Sequence, residues 1–202
     1  MNIREQIIKY REGATSISSL STKTDLYFLE KYGSNGKGSS YKYTGTLIPG
    51  NIYFFSYETD AKISEKVKFI NRSPLIFYIS SERVGQETIV KSIDLTTTPP
   101  EQRAEIIQRI GTKFESLLDS GEKSVEKGGN PSEIRLSSGD LQSLLSGTGY
   151  NFSVKGFKIG SMKNIKWIDY SDWCKLPFLK YSFIQGTSIN EIYSDYRSKL
   201  KG

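Results

Sequence analysis

Histidine is absent from this 202-residue sequence, and cysteine occurs once, at Cys174. Without histidine there is no Ser-His-Asp or Cys-His relay, no histidine-bound zinc and no imidazole pH switch. A single cysteine forms neither an internal disulfide nor a cysteine-rich metal site. Any general base must therefore be a carboxylate, a lysine or a tyrosine.

Long apolar runs are also missing. No stretch approaches the roughly 18 apolar residues that a membrane-spanning helix needs. The segment Met1–Gln6 is polar and lacks the apolar core of a signal peptide. We therefore expect a protein made in the cytoplasm, with no membrane span.

The charge is basic but unevenly distributed. The chain has 28 basic and 22 acidic side chains, a net charge of +6, and residues 151–202 carry 9 of the basic and 4 of the acidic groups. A basic end is typical of a surface that binds nucleic acid. It is equally typical of lysines that only keep a surface soluble, and both interpretations stay open.

Residues 1–44 have the pattern of a partly flexible helical arm. Ile3, Ile7 and Tyr10 recur at helical spacing and share one face. The Ser/Thr-rich stretch 14–24 is expected to interrupt the helix, and Asp25 to cap a second one over Leu26–Tyr32. Such an arm cannot bury its apolar face alone, so we expect it to pack on the rest of the protein or on a partner.

A second helical pattern, near the C-terminus, also has an apolar side. The segment Ile189–Leu200 follows Ser188 and Glu191, which have the spacing of a capping box. Deleting residues 1–40 should, on this view, leave a folded body that no longer binds its partners. The side chains expected to make partner contacts are Ile3, Ile7, Tyr10, Leu26, Phe28, Leu29, Tyr193 and Tyr196.

Between the helical ends the pattern is that of short strands. Strands are expected at Asn51–Tyr57, Pro74–Ser80, Thr88–Leu95, Tyr150–Ile159 and Asn164–Tyr170. Two helices are expected between the third and fourth of them. We therefore predict an α+β fold: a small SH3-like, partly open β-barrel over residues 45–180, with a two-helix insertion at 98–147 and a C-terminal helix within 181–202.

Aromatic and basic residues in this region allow two interpretations. Aromatic side chains on strands stack bases in some nucleic-acid-binding barrels, but in a small barrel they more often form the core. The residues in question are Tyr53, Phe55, Tyr57, Tyr78 and Trp167. A loop supplies a candidate set of nucleic-acid-binding groups: Lys62, Lys66, Lys68 and Arg72.

Two pairs of carboxylates could bind a divalent metal or divide acid and base roles. They are Glu58 with Asp60, and Asp169 with Asp172. Acidic residues at such positions more often cap turns. We therefore predict no catalytic residue, no metal site, no cofactor and no small-molecule substrate.

A short region resembles the toxin ribonuclease barrels of the MazF/PemK type. The motif Pro49-Gly50-x-Ile52-Tyr53-Phe54 is followed, after a polar loop, by Arg72-Ser73-Pro74-Leu75-Ile76. The resemblance implies an arginine and a hydroxyl residue that act on RNA. Arg72 matches the arginine, and a Ser separates it from the proline.

A longer resemblance covers roughly residues 45–180. Its pieces are Leu47–Tyr57, Ser73–Phe77, Ile93–Leu95, Pro99–Arg103, Ile168–Trp173 and Leu176-Pro177. Read together, they resemble small virion-associated or assembly proteins of large tailed double-stranded DNA phages, some of which are labelled DNA end protectors.

This resemblance implies a non-enzymatic structural part of a phage particle, in the tail, the baseplate or the head-to-tail junction. Its partners would be other phage structural proteins, arranged in a symmetric ring, and its location the virion. The alternatives are a DNA-binding end protector or packaging protein and, second, a MazF-like ribonuclease.

Overall fold

The computed structural model describes residues 2–33, 46–58, 69–119, 138–147, 149–180 and 184–201. It has a mixed α+β architecture, built on a five-stranded antiparallel sheet and several helices. The predicted fold class is therefore confirmed at this level. None of the described helices combines the length and the apolar character needed to cross a membrane.

The first helix, α1 (Ile3–Glu12), begins at a capping box. The Glu5 amide donates to Asn2 Oδ1 at 2.9 Å, and the Asn2 amide donates to Glu5 Oε2 at 3.0 Å. These bonds satisfy amides that the first helical turn would otherwise leave unpaired. Ile3 and Ile7 are buried, as the helical spacing predicts.

The second helix, α2 (Ile17–Tyr32), is longer than the sequence indicates. The predicted break after α1 is confirmed at residues 13–16, but its extension to residue 24 is wrong, because Ser16 and not Asp25 caps α2 and accepts a bond from the Ser19 amide at 3.1 Å. The Thr24 hydroxyl donates to the Leu20 carbonyl at 2.7 Å and is buried. Burial against the protein thus outweighs the weak helix propensity of serine and threonine. The expected stop is confirmed, since the Gly33 amide donates to the Leu29 carbonyl.

The strands of the main sheet are β1 (Ile52–Tyr57), β3 (Leu75–Val84), β4 (Glu87–Asp94), β5 (Val154–Lys158) and β6 (Met162–Trp167), in the order β5-β4-β3-β1-β6. Short turns join two pairs of consecutive strands in the main sheet, β3 to β4 and β5 to β6, and long connections join β1 to β3 and β4 to β5. The strands β2 (Ile70–Asn71) and β7 (Ile184–Gln185) form a separate small pair. The tight turn between β3 and β4 has φ of +62° at Gly85, a value that glycine adopts without strain.

The two outer strands, β5 and β6, are consecutive in the chain. Only a 3₁₀ turn, Ile159–Ser161, joins them. Four Cα–Cα steps span at most about 15 Å, whereas the outer strands of a flat five-stranded sheet lie about 19 Å apart. The sheet must therefore curl, and the Lys158 amide indeed donates to the Tyr57 hydroxyl at 3.2 Å.

Successive side chains of each strand point to opposite sides of the sheet, and both sides carry apolar residues. The concave face is filled almost entirely by strand side chains: Tyr53, Phe55, Ile76, Tyr78, Val90, Phe157, Met162 and Ile165, with Leu47. Tyr57 and Trp167 pack at its margin. Tyr53, Phe55 and Tyr78 are therefore core residues, the second of the two interpretations above.

The convex face is covered by helices, which share a second and larger apolar core with it. Two of them, α3 (Pro100–Asp119) and α4 (Ser138–Leu145), lie between β4 and β5. The last, α5 (Ile189–Lys201), begins at the predicted capping box, in which the Glu191 amide donates to Ser188 Oγ.

A close approach fixes α1 on α3. The Ile3 side chain occupies the place where a Cβ on Gly111 would lie, 2.6 Å from Ile3 Cγ2. The Ile3 amide donates to Glu115 Oε1 at 2.7 Å. The N-terminal helices thus pack on the body of the protein, one of the two arrangements expected for them.

The last of the five predicted strands ends earlier than expected. The segment Asn164–Tyr170 was predicted to be extended, but β6 ends at Trp167 and a 3₁₀ segment, Tyr170–Phe178, follows. Likewise, Tyr150–Ser153 is 3₁₀ and only Val154–Lys158 is strand. Both 3₁₀ segments pack side chains onto the helical layer.

Buried Arg103, on α3, links that helix to the 3₁₀ segment Tyr170–Phe178 and to α5. Its guanidinium donates to the carbonyls of Leu176, Leu179 and Thr98 and to the Tyr193 hydroxyl. Because all four acceptors are neutral, the arginine acts as a hydrogen-bonding hub and not as half of an ion pair.

Candidate interaction surface

The predicted partner-binding residues do not form one surface. Five of them are buried within this chain: Ile3, Ile7, Phe28, Tyr193 and Tyr196. Tyr10 is half-buried against Phe178, with ring centroids 5.8 Å apart. The exposed members are Leu26, 63% exposed, and Leu29, 39% exposed. The structure therefore narrows the predicted contact surface to these two leucines.

Helix geometry explains why the two leucines point outward. At about 100° per residue, Leu26 lies nearly opposite Phe28, and Leu29 lies about 60° from Leu26. Phe28 belongs to the buried side of α2. The outward side carries Ser19, Thr22, Lys23, Leu26, Leu29 and Glu30, which we call the α2 outer face. A shallow groove of about 570 Å³ runs along part of it.

The opposite side of α2 is held by a buried carboxylate, Asp172, in the 3₁₀ segment Tyr170–Phe178. Asp172 Oδ2 accepts from Tyr32 Oη and Lys31 Nζ, each at 2.6 Å. Asp172 Oδ1 accepts from Tyr27 Oη at 2.9 Å and also from Lys175 Nζ. Three of the four donors come from the last turns of α2, so one carboxylate fixes the position of that end of the helix.

The electrostatics of this cluster favour an ionised Asp172. Burial raises the pKa of its carboxyl, but hydrogen bonds from Lys175, Lys31 and Tyr32 outweigh that effect and leave the pKa below its ordinary value. Burial also raises the pKa of the Tyr32 hydroxyl, and the bond to Asp172 raises it further. The tyrosines therefore act as neutral donors.

The two lysines of the cluster also lie over aromatic rings. Lys175 Nζ is 4.7 Å from the centroid of the Tyr27 ring and 5.8 Å from that of Tyr10. Lys31 Nζ is 5.3 Å from the centroid of the Tyr32 ring. Cation–π contacts of this kind add stabilisation to the ion pairs. The arrangement is that of a structural clamp between α2 and the 3₁₀ segment.

Of the two carboxylate pairs considered as metal ligands, only Asp169 and Asp172 are both described, and each of them has other hydrogen-bond partners. Asp169 Oδ1 accepts from the Ser171 amide at 2.8 Å, which is the turn-capping role. Asp172 is occupied by lysines and tyrosines, Glu58 is exposed, and Asp60 lies outside the described residues. No cluster of three or more metal-binding side chains occurs in the part of the chain that the structure describes.

The predicted nucleic-acid-binding residues are mostly not placed. Lys62, Lys66 and Lys68 lie outside the described residues. Arg72 is half-buried, and its carbonyl accepts from the Tyr57 amide at 2.9 Å. The backbone at Arg72 is thus tied to the end of β1.

Sequence reasoning missed the Asp172 clamp. Its members are separated by about 140 residues along the chain, since α2 contributes Tyr27, Lys31 and Tyr32. A local signal was available. Tyr27 and Lys31 stand four residues apart and therefore share a face of the helix, where both can donate to one acceptor.

A second buried carboxylate, Asp94, lies at the end of β4. It is 1% exposed and accepts from Asn71 Nδ2 at 3.1 and 3.2 Å and from the Thr96 amide at 3.1 Å. Burial raises the pKa of its carboxyl, while the bonds from Asn71 and the nearby charge of Lys155 lower it, and burial prevails.

Replacing Asp94 by asparagine should therefore change stability with a defined pH dependence. A raised folded-state pKa gives stability that is present below the unfolded value of about 4 and is lost as the pH rises through the folded value. We expect Asp94→Asn to unfold at higher urea concentration than the wild type at pH 7, with the difference vanishing toward pH 4. If Asp94→Asn is less stable than the wild type by the same amount across this range, the fold prefers the carboxylate.

Comparison with protein-family models, with curated proteins and with solved structures finds no match to this chain.

Proposed function

We propose that this protein is a structural component of a tailed bacteriophage particle that acts through protein–protein contacts. The phage context rests on the sequence resemblance across residues 45–180. The contact role rests on α2, which is clamped on one side and presents apolar side chains on the other. Its partners would be other structural proteins of the particle, in the tail, the baseplate or the head-to-tail junction.

The exposed fraction of Leu26 is the observation that carries this proposal. A leucine that is 63% exposed in the middle of a well-anchored helix gains free energy only when a partner covers it. Leu29 and the groove beside Thr22 extend the apolar area. The small side chains Ser19 and Thr22 would let a second helix approach closely.

The finer description of the fold belongs to the same proposal. The strand order β5-β4-β3-β1-β6, the curl of the sheet and the 3₁₀ turn before the last strand support an SH3-like, partly open barrel. The pair α3 and α4, between paired strands β4 and β5, would then be an insertion into that barrel.

The alternative of a DNA end protector rests on the basic last quarter of the sequence, and the ribonuclease alternative on Arg72. The α2 outer face favours neither of them, because leucines contribute to protein contacts and not to phosphate binding. We therefore give the contact role precedence.

Placing charge on the α2 outer face should strongly reduce incorporation into particles. In a phage that carries Leu26→Asp and Leu29→Asp, we expect the amount of this protein per purified particle to fall at least about ten-fold, since two buried leucines contribute more than 1.4 kcal/mol. The measurement is quantitative mass spectrometry of purified particles.

The matched control is Val84→Asp at the tip of the β3–β4 hairpin, where the valine is 56% exposed. It adds one negative charge, against two in the double variant, at a similarly exposed apolar position away from α2. We expect normal incorporation of this variant and unchanged melting temperatures for both proteins. Equal incorporation of the double variant and the control would disprove the proposed role of the α2 outer face.

A further inference from the structure

We propose that a groove between β5 and α5 binds an aromatic base that carries a phosphate group. The groove has a volume of about 190 Å³ and lies on the side of the protein where Phe69, Lys155 and one side of the last helix meet. Neither the α2 outer face nor the loop lysines of the sequence analysis contribute to it. The inference is therefore independent of the proposed assembly role.

Three aromatic side chains line this groove: Phe69, Phe152 and Tyr196. The rings of Phe152 and Tyr196 meet edge to face, with centroids 5.6 Å apart. Phe152 is nevertheless 39% exposed, an unusual state for a phenylalanine that is already in contact with a neighbouring ring. An exposed ring beside other rings offers a surface on which a planar heteroaromatic group can stack.

Two lysines, Lys155 and Lys199, complete the lining. Lys155 Nζ lies 5.1 Å from the centroid of the Phe69 ring, which places its charge beside the aromatic surface. Among the residues that the structure describes, no carboxylate forms an ion pair with Lys155. A phosphate bound at this point would be attracted by the positive charge of Lys155, whose neighbours are mainly aromatic.

Lys199 is held less firmly in its present position. It pairs with Asp195 at 2.8 Å, and both side chains are about half exposed. An exposed pair of this kind contributes little stability, so Lys199 can turn toward an incoming phosphate. Asp195 also lines the groove and limits the anionic charge that it accepts.

The floor of the groove is rigid. Thr97 is buried there, and its hydroxyl donates to the Asp94 carbonyl at 3.1 Å. The Asp94 carboxyl is itself held by hydrogen bonds from Asn71 and from the Thr96 amide. Thr97 is therefore positioned before any ligand arrives, which reduces the entropy lost at this part of the groove on binding.

The size and lining of the groove select the ligand class. Drug-sized ligands occupy pockets of roughly 300 Å³ or more, so this groove suits a single base and not a large cofactor or a duplex end. Stacking rings next to lysines are the usual means of holding single-stranded nucleic acid. The same chemistry would also bind a free nucleoside monophosphate.

The test is binding of a labelled single-stranded tetrathymidylate to the full chain, followed by fluorescence anisotropy at about 50 mM salt. We expect saturable binding that Phe152→Ala weakens at least five-fold, in line with the loss of one stacked base. Lys155→Met should weaken binding and reduce the slope of log K against log salt by about 0.7. The control Lys163→Met removes an exposed lysine on β6 and should bind within two-fold of the wild type.

Competition experiments show whether the bound base belongs to a free nucleotide or to a nucleic acid. Displacement by thymidine 5′-monophosphate at concentrations similar to those of the unlabelled strand supports a free nucleotide, and displacement by the strand alone supports a nucleic acid. Inorganic phosphate that competes equally well would overturn the base-binding proposal. So would absence of binding, or normal binding by Phe152→Ala with an unchanged circular dichroism spectrum.

Discussion

Removal of residues 1–33 is expected to yield a chain without a cooperative unfolding transition. The deleted helices supply Ile3, Ile7, Phe28 and Tyr32 to the larger core, and each is at most 6% exposed. Truncating one large buried side chain costs about 2–5 kcal/mol. The loss of four, about 8–20 kcal/mol, is as large as the roughly 5–15 kcal/mol that stabilises an ordinary domain.

Two specific defects would accompany the loss of core. The space above Gly111 that Ile3 now fills would open to water. Asp172 would keep Lys175 but lose Tyr27, Lys31 and Tyr32. The expectation that the N-terminal segment can be cut away without harm to the body thus conflicts with where these side chains lie.

Urea titration followed by circular dichroism measures this effect. The full chain should unfold in one sigmoidal transition and the truncated chain in none. Leu26→Asp with Leu29→Asp is the matched control, since it alters only the exposed side of the same helix. A truncated protein that unfolds cooperatively, with a midpoint close to that of the full chain, would contradict the described packing.

Substitution of Asp172 by asparagine is expected to destabilise the protein by about 3 kcal/mol at pH 7. An amide cannot accept charge-assisted bonds from Lys31 and Lys175 and still accept from two tyrosine hydroxyls. Both lysines are partly exposed, at 24% and 20%, so water recovers some of the cost on their side. The hydroxyl of Tyr32 is buried and recovers none.

The pH dependence distinguishes this effect from a simple loss of packing. The pKa of the Asp172 carboxyl is lowered by the fold. The corresponding stability is fully present above the unfolded value of about 4 and is lost as the pH falls through the folded value. The difference between wild type and Asp172→Asn should thus be constant from pH 8 to about pH 5 and shrink below pH 4.

The matched control is Asp140→Asn, which removes a carboxylate from a more exposed pair with Lys113 at 3.7 Å. Its cost should stay below about 1 kcal/mol. Urea midpoints for both variants at several pH values provide the measurement. If the free energy of unfolding of Asp172→Asn is lower than that of the wild type by an amount that does not depend on pH, the carboxylate charge does not stabilise the clamp.

The parts of the fold that the sequence predicts are those controlled by local physics. The spacing of Ile3 and Ile7 predicts the buried face of α1, and Gly85 predicts the turn between β3 and β4. The capping box at Ser188 predicts the start of α5. In each case a few consecutive residues contain the whole cause, namely a helical period, a positive φ or a side-chain cap.

The parts that were missed depend on distant contacts. α2 begins at Ile17 because Ser21 and Thr24 are buried against the protein, which no local propensity reveals. The clamp at Asp172 joins residues about 140 positions apart. Leu26 and Phe28 are equally apolar in the sequence, and only packing makes one of them exposed and the other buried. The candidate contact surface could therefore be narrowed only with the structure.

The most direct test of the proposed assembly role is whether this protein is present in purified phage particles, and in what copy number. Mass spectrometry with isotope-labelled standard peptides gives that number. A part of a symmetric ring is present in a fixed multiple set by the symmetry, and for a tail or neck ring we expect six or twelve copies per particle. Absence from the particle, or an amount that varies between preparations, would contradict the proposal that this protein is a structural component of the virion.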